Sequence, residues 1–445
     1  MKARQRALTR AAVAALFALL AAYTLILAAV TPRPVPVDVA TSSVATDDNV
    51  RRSGSSWARR RGGMLQVYLH GTPQRIGAAH ARLLRPHMVA NERALWSVFE
   101  ELVPTALLRT VIIDAARIRF AGLSESIGYA RRAELSAAAQ AFRPDPFEER
   151  FPTYARFLML NALYDVSLSF EHSPLIGCSS VFVRDDADGP LLGRNFDFEA
   201  HPIFDRDKAV IVFDEPGKIP VLSVAWPGLA GVVTGLNGEG VGAVVHGARA
   251  GEPTASGQPV LITLREALAH ASNAEQVAAW LADREPIVSH MILVADAAGA
   301  SLVVERVPGR AAHVRRGNAR LALSNHLEGP DAEDAANHRV RQSTSTLARR
   351  ARLDELLGRP DPIGARGVLS ILRDRRAAGG QVLPSGDRRA IDADIATHGV
   401  VMNLRTRTIW VSQGTRLAGA FVRFDLARWL DDPDAESRRV GWEAL

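Results

Sequence analysis

Leu175-Ile176-Gly177-Cys178-Ser179-Ser180-Val181-Phe182-Val183 holds the only cysteine in 445 residues, directly ahead of a β-branched and aromatic run that predicts a strand. The turn Asp185-Asp186-Ala187-Asp188-Gly189 and a second apolar run, 190–198, complete a hairpin. Its return strand contains Gly193-Arg194-Asn195-Phe196-Asp197-Phe198, so Arg194 and Asp197 are expected beside the sulfur. A cysteine used once closes no internal disulfide. Next to a guanidinium and a carboxylate it is a candidate activated nucleophile.

Outward from the hairpin the chain changes texture. Upstream, residues 64–177 read as mostly helical after one short strand at 65–69 and the Gly71-Thr72-Pro73 turn, with helical periodicity over 74–87, 91–102, 106–120 and 153–168. Downstream, 178–445 reads as the catalytic segment. Strands are expected at 209–213, 221–226, 231–235 and 241–246, helices at 259–271 and 274–283, and strands again at 291–295, 301–307 and 319–324. A helix at 346–357 and a hairpin at 399–403 with 408–413 follow. Sheet, helices and sheet again predict an α+β body of two stacked sheets with helices outside.

The N-terminus is of another kind. Lys2, Arg4, Arg6 and Arg10 precede the uncharged run 11–30, long enough as a helix to cross a hydrocarbon core of about 30 Å. The basic flank predicts a cytoplasmic start and an extracytoplasmic remainder. The run is longer than a signal peptide's apolar region, and Leu27-Ala28-Ala29-Val30 makes a poor cleavage site, so 1–30 is read as an uncleaved inner-membrane anchor with a periplasmic body. Residues 31–63, with Pro32, Pro34, Pro36 and the patch Arg59-Arg60-Arg61, are read as a flexible linker. The net charge is +6, but only Lys2, Lys208 and Lys218 are lysines, and Asp and Glu are interspersed throughout. No basic stripe emerges beyond the N-terminus, which argues against a nucleic-acid partner.

The bond Gly177–Cys178 has chemistry of its own. A thiol at a strand start can attack the carbonyl that precedes it, and glycine there permits unusual backbone angles. Cleavage frees the α-amino group of Cys178, whose ordinary pKa of about 7.7–8.0 suits it to take the thiol proton. The nucleophile then carries its own base. Asp197 can accept a hydrogen bond from that amine, Arg194 can favour the thiolate and position Asp197, and Asn325 is the candidate oxyanion donor.

These residues carry a resemblance. Gly-Cys-Ser-Ser with Gly-Arg-Asn-Phe-Asp is similar to the isopenicillin N acyltransferase-like branch of the N-terminal-nucleophile (Ntn) hydrolases, related to choloylglycine hydrolases and acid ceramidases. Gly71-Thr72-Pro73-Gln74-Arg75-Ile76-Gly77 with His80, Gly235-Leu236-Asn237-Gly238-Glu239-Gly240-Val241 and Ser324-Asn325-His326 resemble further segments of that branch, in order, over about residues 64–426. The resemblance implies a four-layer αββα sandwich with a helical pre-nucleophile segment, made as a precursor that cuts itself before Cys178. It implies hydrolysis or transfer of an acyl group held in an N-acyl amide, with no cofactor, and cleaved halves that stay associated. Carried over, Cys178 is the nucleophile, Arg194 and Asp197 orient it, and Asn325 stabilises the oxyanion. One departure is His246-Gly247, where the choloylglycine branch places an oxyanion asparagine. Another is a late-helix arginine for which Arg349, Arg350 and Arg352 compete; Arg349 is taken as the substrate-binding candidate.

Trp226, Asn237, His246 and His326 complete the candidate substrate-binding set. His70, His172, His201 and His398 lack metal-ligand spacing, so no metal is expected. Two other readings compete. A papain-like hydrolase would use Cys178 with His326 or His398 and no self-cleavage, although its nucleophile normally opens a helix. A non-catalytic periplasmic binding module on a membrane anchor would tolerate loss of Arg194.

Overall fold

The computed structural model describes residues 2–39, 43–47, 49–169, 176–185, 188–198 and 201–445. Before Cys178 come strands β1 (Ala45–Asp47), β2 (Val50–Ser53), β3 (Ser56–Arg61) and β4 (Met64–His70). The hairpin is β5 (Ile176–Asp185) and β6 (Gly189–Phe198); the turn residues 186 and 187 lie outside the described residues. Then follow β7 (Ala209–Asp214), β8 (Val221–Ala225), β9 (Thr234–Asn237), β10 (Gly242–Gly247), β11 (His290–Ala295), β12 (Ser301–Arg306) and β13 (His313–Arg316). Last are β14 (Arg320–Leu323), β15 (Ala396–Asn403), β16 (Thr408–Ser412) and β17 (Phe421–Asp425).

Among the described residues these strands form two sheets, ordered β1-β2-β3-β4-β7-β8-β9-β10-β11-β12-β13 and β14-β5-β6-β15-β16-β17. Neighbours run antiparallel except β4 and β7, which pair parallel with Leu65 opposite Ala209. That pairing joins strands from before and after Cys178 in one sheet.

The upstream helices are α1 (Lys2–Val30), α2 (Pro73–Leu102), α3 (Ala106–Arg119), α4 (Tyr129–Ala141), α5 (Thr153–Asn161) and α6 (Leu163–Leu168). Downstream are α7 (Ile203–Arg206), α8 (Val260–His270), α9 (Ala274–Ala282), α10 (Ala335–Ser343), α11 (Thr346–Leu357), α12 (Ala365–Leu372), α13 (Leu426–Asp431) and α14 (Pro433–Arg438).

Strand alternation decides what each face buries. Phe182 and Leu192 pack with Val210, Val224, Val244, Leu293 and Val400 in a cluster made largely of residues from both sheets. Val181 and Val183 join Leu353 of α11 and Val368 of α12. Ile211, Val245 and Val294 pack with Leu83 of α2, Leu158 of α5 and Leu264 of α8.

The segment read as a flexible linker is different in the structure. Residues 45–61 supply β1 to β3, and Trp57 is buried and stacked on Trp429 at 5.6 Å. Arg59 and Arg61 of the supposed basic patch are buried against Glu436 of α14. Composition marked the stretch as unable to form a core, but its partners lie at the other end of the chain. Helix α2 is continuous although Pro86 lies inside it, where the sequence suggested two helices. Burial of Ile76, Leu83, Leu84 and Met88 outweighs the backbone hydrogen bond lost at proline. The expected 153–168 helix divides at Ala162, the strand expected at 231–235 forms at Thr234–Asn237, and α4, α12 and β17 were not foreseen.

α1 contains a 22-residue stretch, Thr9–Val30, of mean hydropathy 2.5, long and apolar enough to cross a membrane and unburied by the rest of the chain.

Candidate active site

The hairpin register sets Cys178 opposite Phe196, Ser180 opposite Arg194 and Gly177 opposite Asp197. Directly opposed residues in an antiparallel pair share a face. Cys178 and Arg194 therefore share the face turned toward the larger sheet. Asp197, an odd number of residues from Arg194, faces the other way.

Cys178 is fully buried, and Arg194 Nη2 donates to its Sγ at 3.2 Å. The same guanidinium donates to the carbonyls of Val233 (2.6 Å) and Val245 (2.8 Å) and to Thr234, and it lies over the Phe196 ring at 4.5 Å. Burial pushes the Cys178 thiol above its ordinary range, while Arg194 pulls the other way. The thiol donates to the Val245 carbonyl at 3.7 Å, and the Cys178 backbone nitrogen donates to Asn325 Oδ1 at 2.9 Å.

Asn325 was expected to offer an N–H to an oxyanion. Its oxygen instead accepts from Cys178 N and from Arg349 Nη2 (2.8 Å), and its Nδ2 donates to the Gly247 carbonyl at 3.1 Å. It grips the nitrogen that cleavage would turn into an amine. Arg349 also donates to the Cys178 carbonyl and to Ser179 Oγ (2.9 Å). The competing arginines are engaged elsewhere, Arg350 with Glu328 and Asp354, and Arg352 with Asp374 and Glu355.

Asp197 is buried, and one of its oxygens has no partner among the described residues. Burial raises its pKa to about 6, against the pull of Arg349 and, more weakly, Arg194. No hydrogen bond joins Arg194 to Asp197 among the described residues, and Arg349 acts on Asp197 through its charge. A Cβ at Gly177 would stand 3.1 Å from Asp197 Oδ2. A side chain there would crowd the Asp197 carboxylate, and the φ of Gly177 lies outside the left-handed range.

A cavity of about 110 Å³ is walled by Phe196, the strand partner of Cys178, with Trp226, Phe204, Leu261, Phe157 and Met88. Trp226 was expected here; its Nε1 donates to the Phe204 carbonyl at 2.7 Å, and its ring lies edge-on to Phe204. The sequence reading missed Tyr164, which lines the same cavity. Its hydroxyl is buried, without a partner among the described residues, and held protonated chiefly by burial and then by the charge of Cys178.

Three proposed substrate contacts belong to the scaffold. Asn237 is fully buried; its amide donates to the Leu268 and Ala271 carbonyls and its oxygen accepts from Glu239 N and Val241 N, which pins a turn to α8. His246 is locked between the sheets, Nδ1 on the Ser324 carbonyl (2.9 Å) and Nε2 on Ser180 Oγ (2.7 Å), and burial holds it neutral. His326 contacts Ser324 Oγ and Thr346 Oγ1 at the start of α11. His80 accepts from Gly228 N, and His398 contacts Thr234 Oγ1 and stacks on Phe196. None of these histidines hydrogen-bonds Sγ among the described residues; His172 lies outside them. Among the described residues no three His, Cys, Asp or Glu side chains group closely enough to hold a metal ion.

Residues 184–377 match the family model of acyl-coenzyme A:6-aminopenicillanic acid acyl-transferase, a span that includes Arg194, Asp197, Asn325 and Arg349 and starts just beyond Cys178. No curated protein matches the sequence. Among solved structures the chain is similar to the Caenorhabditis elegans N-acylethanolamine-hydrolyzing acid amidase ortholog (16% identity, 51% of this chain and 93% of that one, TM-score 0.38). It is also similar to penicillin V acylase from Agrobacterium tumefaciens (14%, 56% and 92%, TM-score 0.37). A third is a mutant of the conjugated bile acid hydrolase from Clostridium perfringens (13%, 60% and 96%, TM-score 0.38). Over residues 184–377, a little under half of the chain, the sequence therefore resembles the acyl-coenzyme A:6-aminopenicillanic acid acyl-transferase family.

Proposed function

We propose that the chain is a self-cleaving cysteine amidohydrolase or acyltransferase that takes an acyl group from an N-acyl amide onto Cys178. The observation that carries this is the pairing at one residue: Arg194 on Sγ at 3.2 Å and Asn325 Oδ1 on the backbone nitrogen at 2.9 Å, with no histidine on the sulfur among the described residues.

In the precursor, Sγ attacks the Gly177 carbonyl, the Gly177–Cys178 C–N bond breaks, and the chain passes to a thioester. Water hydrolyses that thioester, leaving a Gly177 carboxylate, a free thiol and a free amine. Asn325 Oδ1 already holds this nitrogen, and Asp197 waits across from Gly177. In turnover the amine takes the thiol proton, the thiolate attacks the substrate carbonyl, and the departing amine leaves with a proton. Water or a second amine then releases the acyl group. The Tyr164 hydroxyl is the nearby donor with no prior partner and is suited to the developing oxyanion.

The three apolar clusters support a four-layer αββα reading of the body. The parallel β4–β7 pairing supports halves that stay together after cleavage, because both contribute to one sheet. An unburied α1, and the exposed Leu107, Leu108 and Val111 of neighbouring α3, support a membrane-anchored enzyme with its body on the periplasmic side. The papain-like reading needs His326 or His398 at Sγ, and both are engaged elsewhere, while Cys178 lies in a strand. The binding-module reading leaves a buried thiol against an arginine without a purpose.

N-terminal sequencing of the purified protein should show a new terminus at Cys178, and Cys178→Ala should remain one chain and lose turnover. An uncut chain that is fully active defeats the proposal.

A further inference from the structure

We propose that the acyl chain this enzyme accepts carries a hydroxyl group along its length, and that Asn91 recognises it. The inference rests on the acyl-transfer reading above and specifies the substrate of that site.

Helix α2 presents Met88, Asn91, Glu92 and Leu95 to the cavity, positions spaced to share one face. Most of the other walls are apolar, as a hydrocarbon chain requires. Asn91 breaks that pattern. It is 4% exposed, and neither its Oδ1 nor its Nδ2 has a hydrogen-bond partner among the described residues. The other polar groups in the walls differ. Glu92 is bound to Arg156 at 2.5 Å and accepts from Trp96 Nε1, Ser167 Oγ donates to the Tyr164 carbonyl, and Tyr164 is the donor beside the thiol.

A buried amide left unpaired destabilises the fold, and an apolar residue of similar volume would avoid that. Asn91 is therefore explained by something that enters the cavity. Its amide offers one acceptor and two donors. A hydroxyl can donate to Oδ1 and accept from Nδ2 at once. A keto oxygen satisfies only Nδ2, and a plain methylene chain satisfies neither. The chemistry selects a hydroxylated acyl chain over an unsubstituted one of equal length.

Binding can be measured without turnover. In full-length Cys178→Ala, calorimetric titration with dodecanoic acid and with its positional hydroxy isomers should show one isomer binding about tenfold more tightly than the plain acid. Asn91→Leu should erase or invert that preference, and Asn91→Gln should alter which isomer is favoured. If the plain acid binds as well as every isomer, the inference is overturned. If a preference exists but survives in Asn91→Leu, it is overturned equally. Because Cys178→Ala cannot cleave or turn over, these outcomes are independent of whether self-cleavage occurs.

Discussion

Replacing Arg194 by Met tests what the guanidinium does for the sulfur. Methionine keeps the apolar stem and removes the charge. Arg194 Nη2 donates to Sγ at 3.2 Å, and burial alone would push the thiol upward. A hydrogen bond from a charged donor contributes about 1.5–3 kcal/mol. At about 1.36 kcal/mol per pKa unit, the thiol of the variant should titrate roughly one to two units higher. At pH 7 the thiolate fraction, and with it the alkylation rate, should fall about ten- to a hundredfold. The assay is modification of Cys178 by a small uncharged alkylating reagent, followed by mass against pH, with denatured protein as the intrinsic control. The Val233 and Val245 carbonyls also lose their donor. The variant should be less stable by a few kcal/mol, on the order of 1–3 per carbonyl less the desolvation relieved when a buried cation is removed. Folding is therefore checked by circular dichroism first. A folded variant whose alkylation profile overlays the parent would refute the claim that Arg194 stabilises the thiolate.

Further outcomes can be stated briefly. Asp197 has a pKa of about 6 in the fold against 3.8 unfolded, so the folded state holds a proton that the unfolded state releases. Its contribution is absent below about pH 3.8 and destabilises by roughly 3 kcal/mol once pH passes 6. Asp197→Asn should remove that loss, seen as a flatter dependence of urea midpoint on pH between 4 and 7; an unchanged slope would count against it. Trp57→Ala should destabilise by about 3–5 kcal/mol in urea, because its ring is buried against Trp429. A change under about 0.5 kcal/mol would return the segment to the status of a linker. Deleting residues 2–30 should move the protein from the membrane fraction to the soluble one without loss of folded structure, since α1 is not buried by the body. Retention in the membrane fraction would point to α3 or another surface as the anchor.

The sequence by itself determined the hairpin and the meeting of Cys178 with Arg194 across it. Strand periodicity is local, so the register that sets Arg194 beside Cys178 follows from one turn and two short runs. The uncharged run in α1 and the helix at Thr346–Leu357 were equally local, and both stand. What tertiary structure alone decided was contact across long separations. Arg349 was distinguished from Arg350 and Arg352 by the face of α11 that packs on β5, which no composition records. Asn237 and His246 had the residue types of a site, yet backbone groups from α8 and from Ser324 satisfy them. The strands at 45–61 form because Trp57, Arg59 and Arg61 meet Trp429 and Glu436, nearly four hundred residues away along the chain. The apolar cavity, with Tyr164 and Asn91 in its wall, arises only when α2, α5, α6 and the hairpin enclose it, because a buried unpaired amide is defined by what surrounds it.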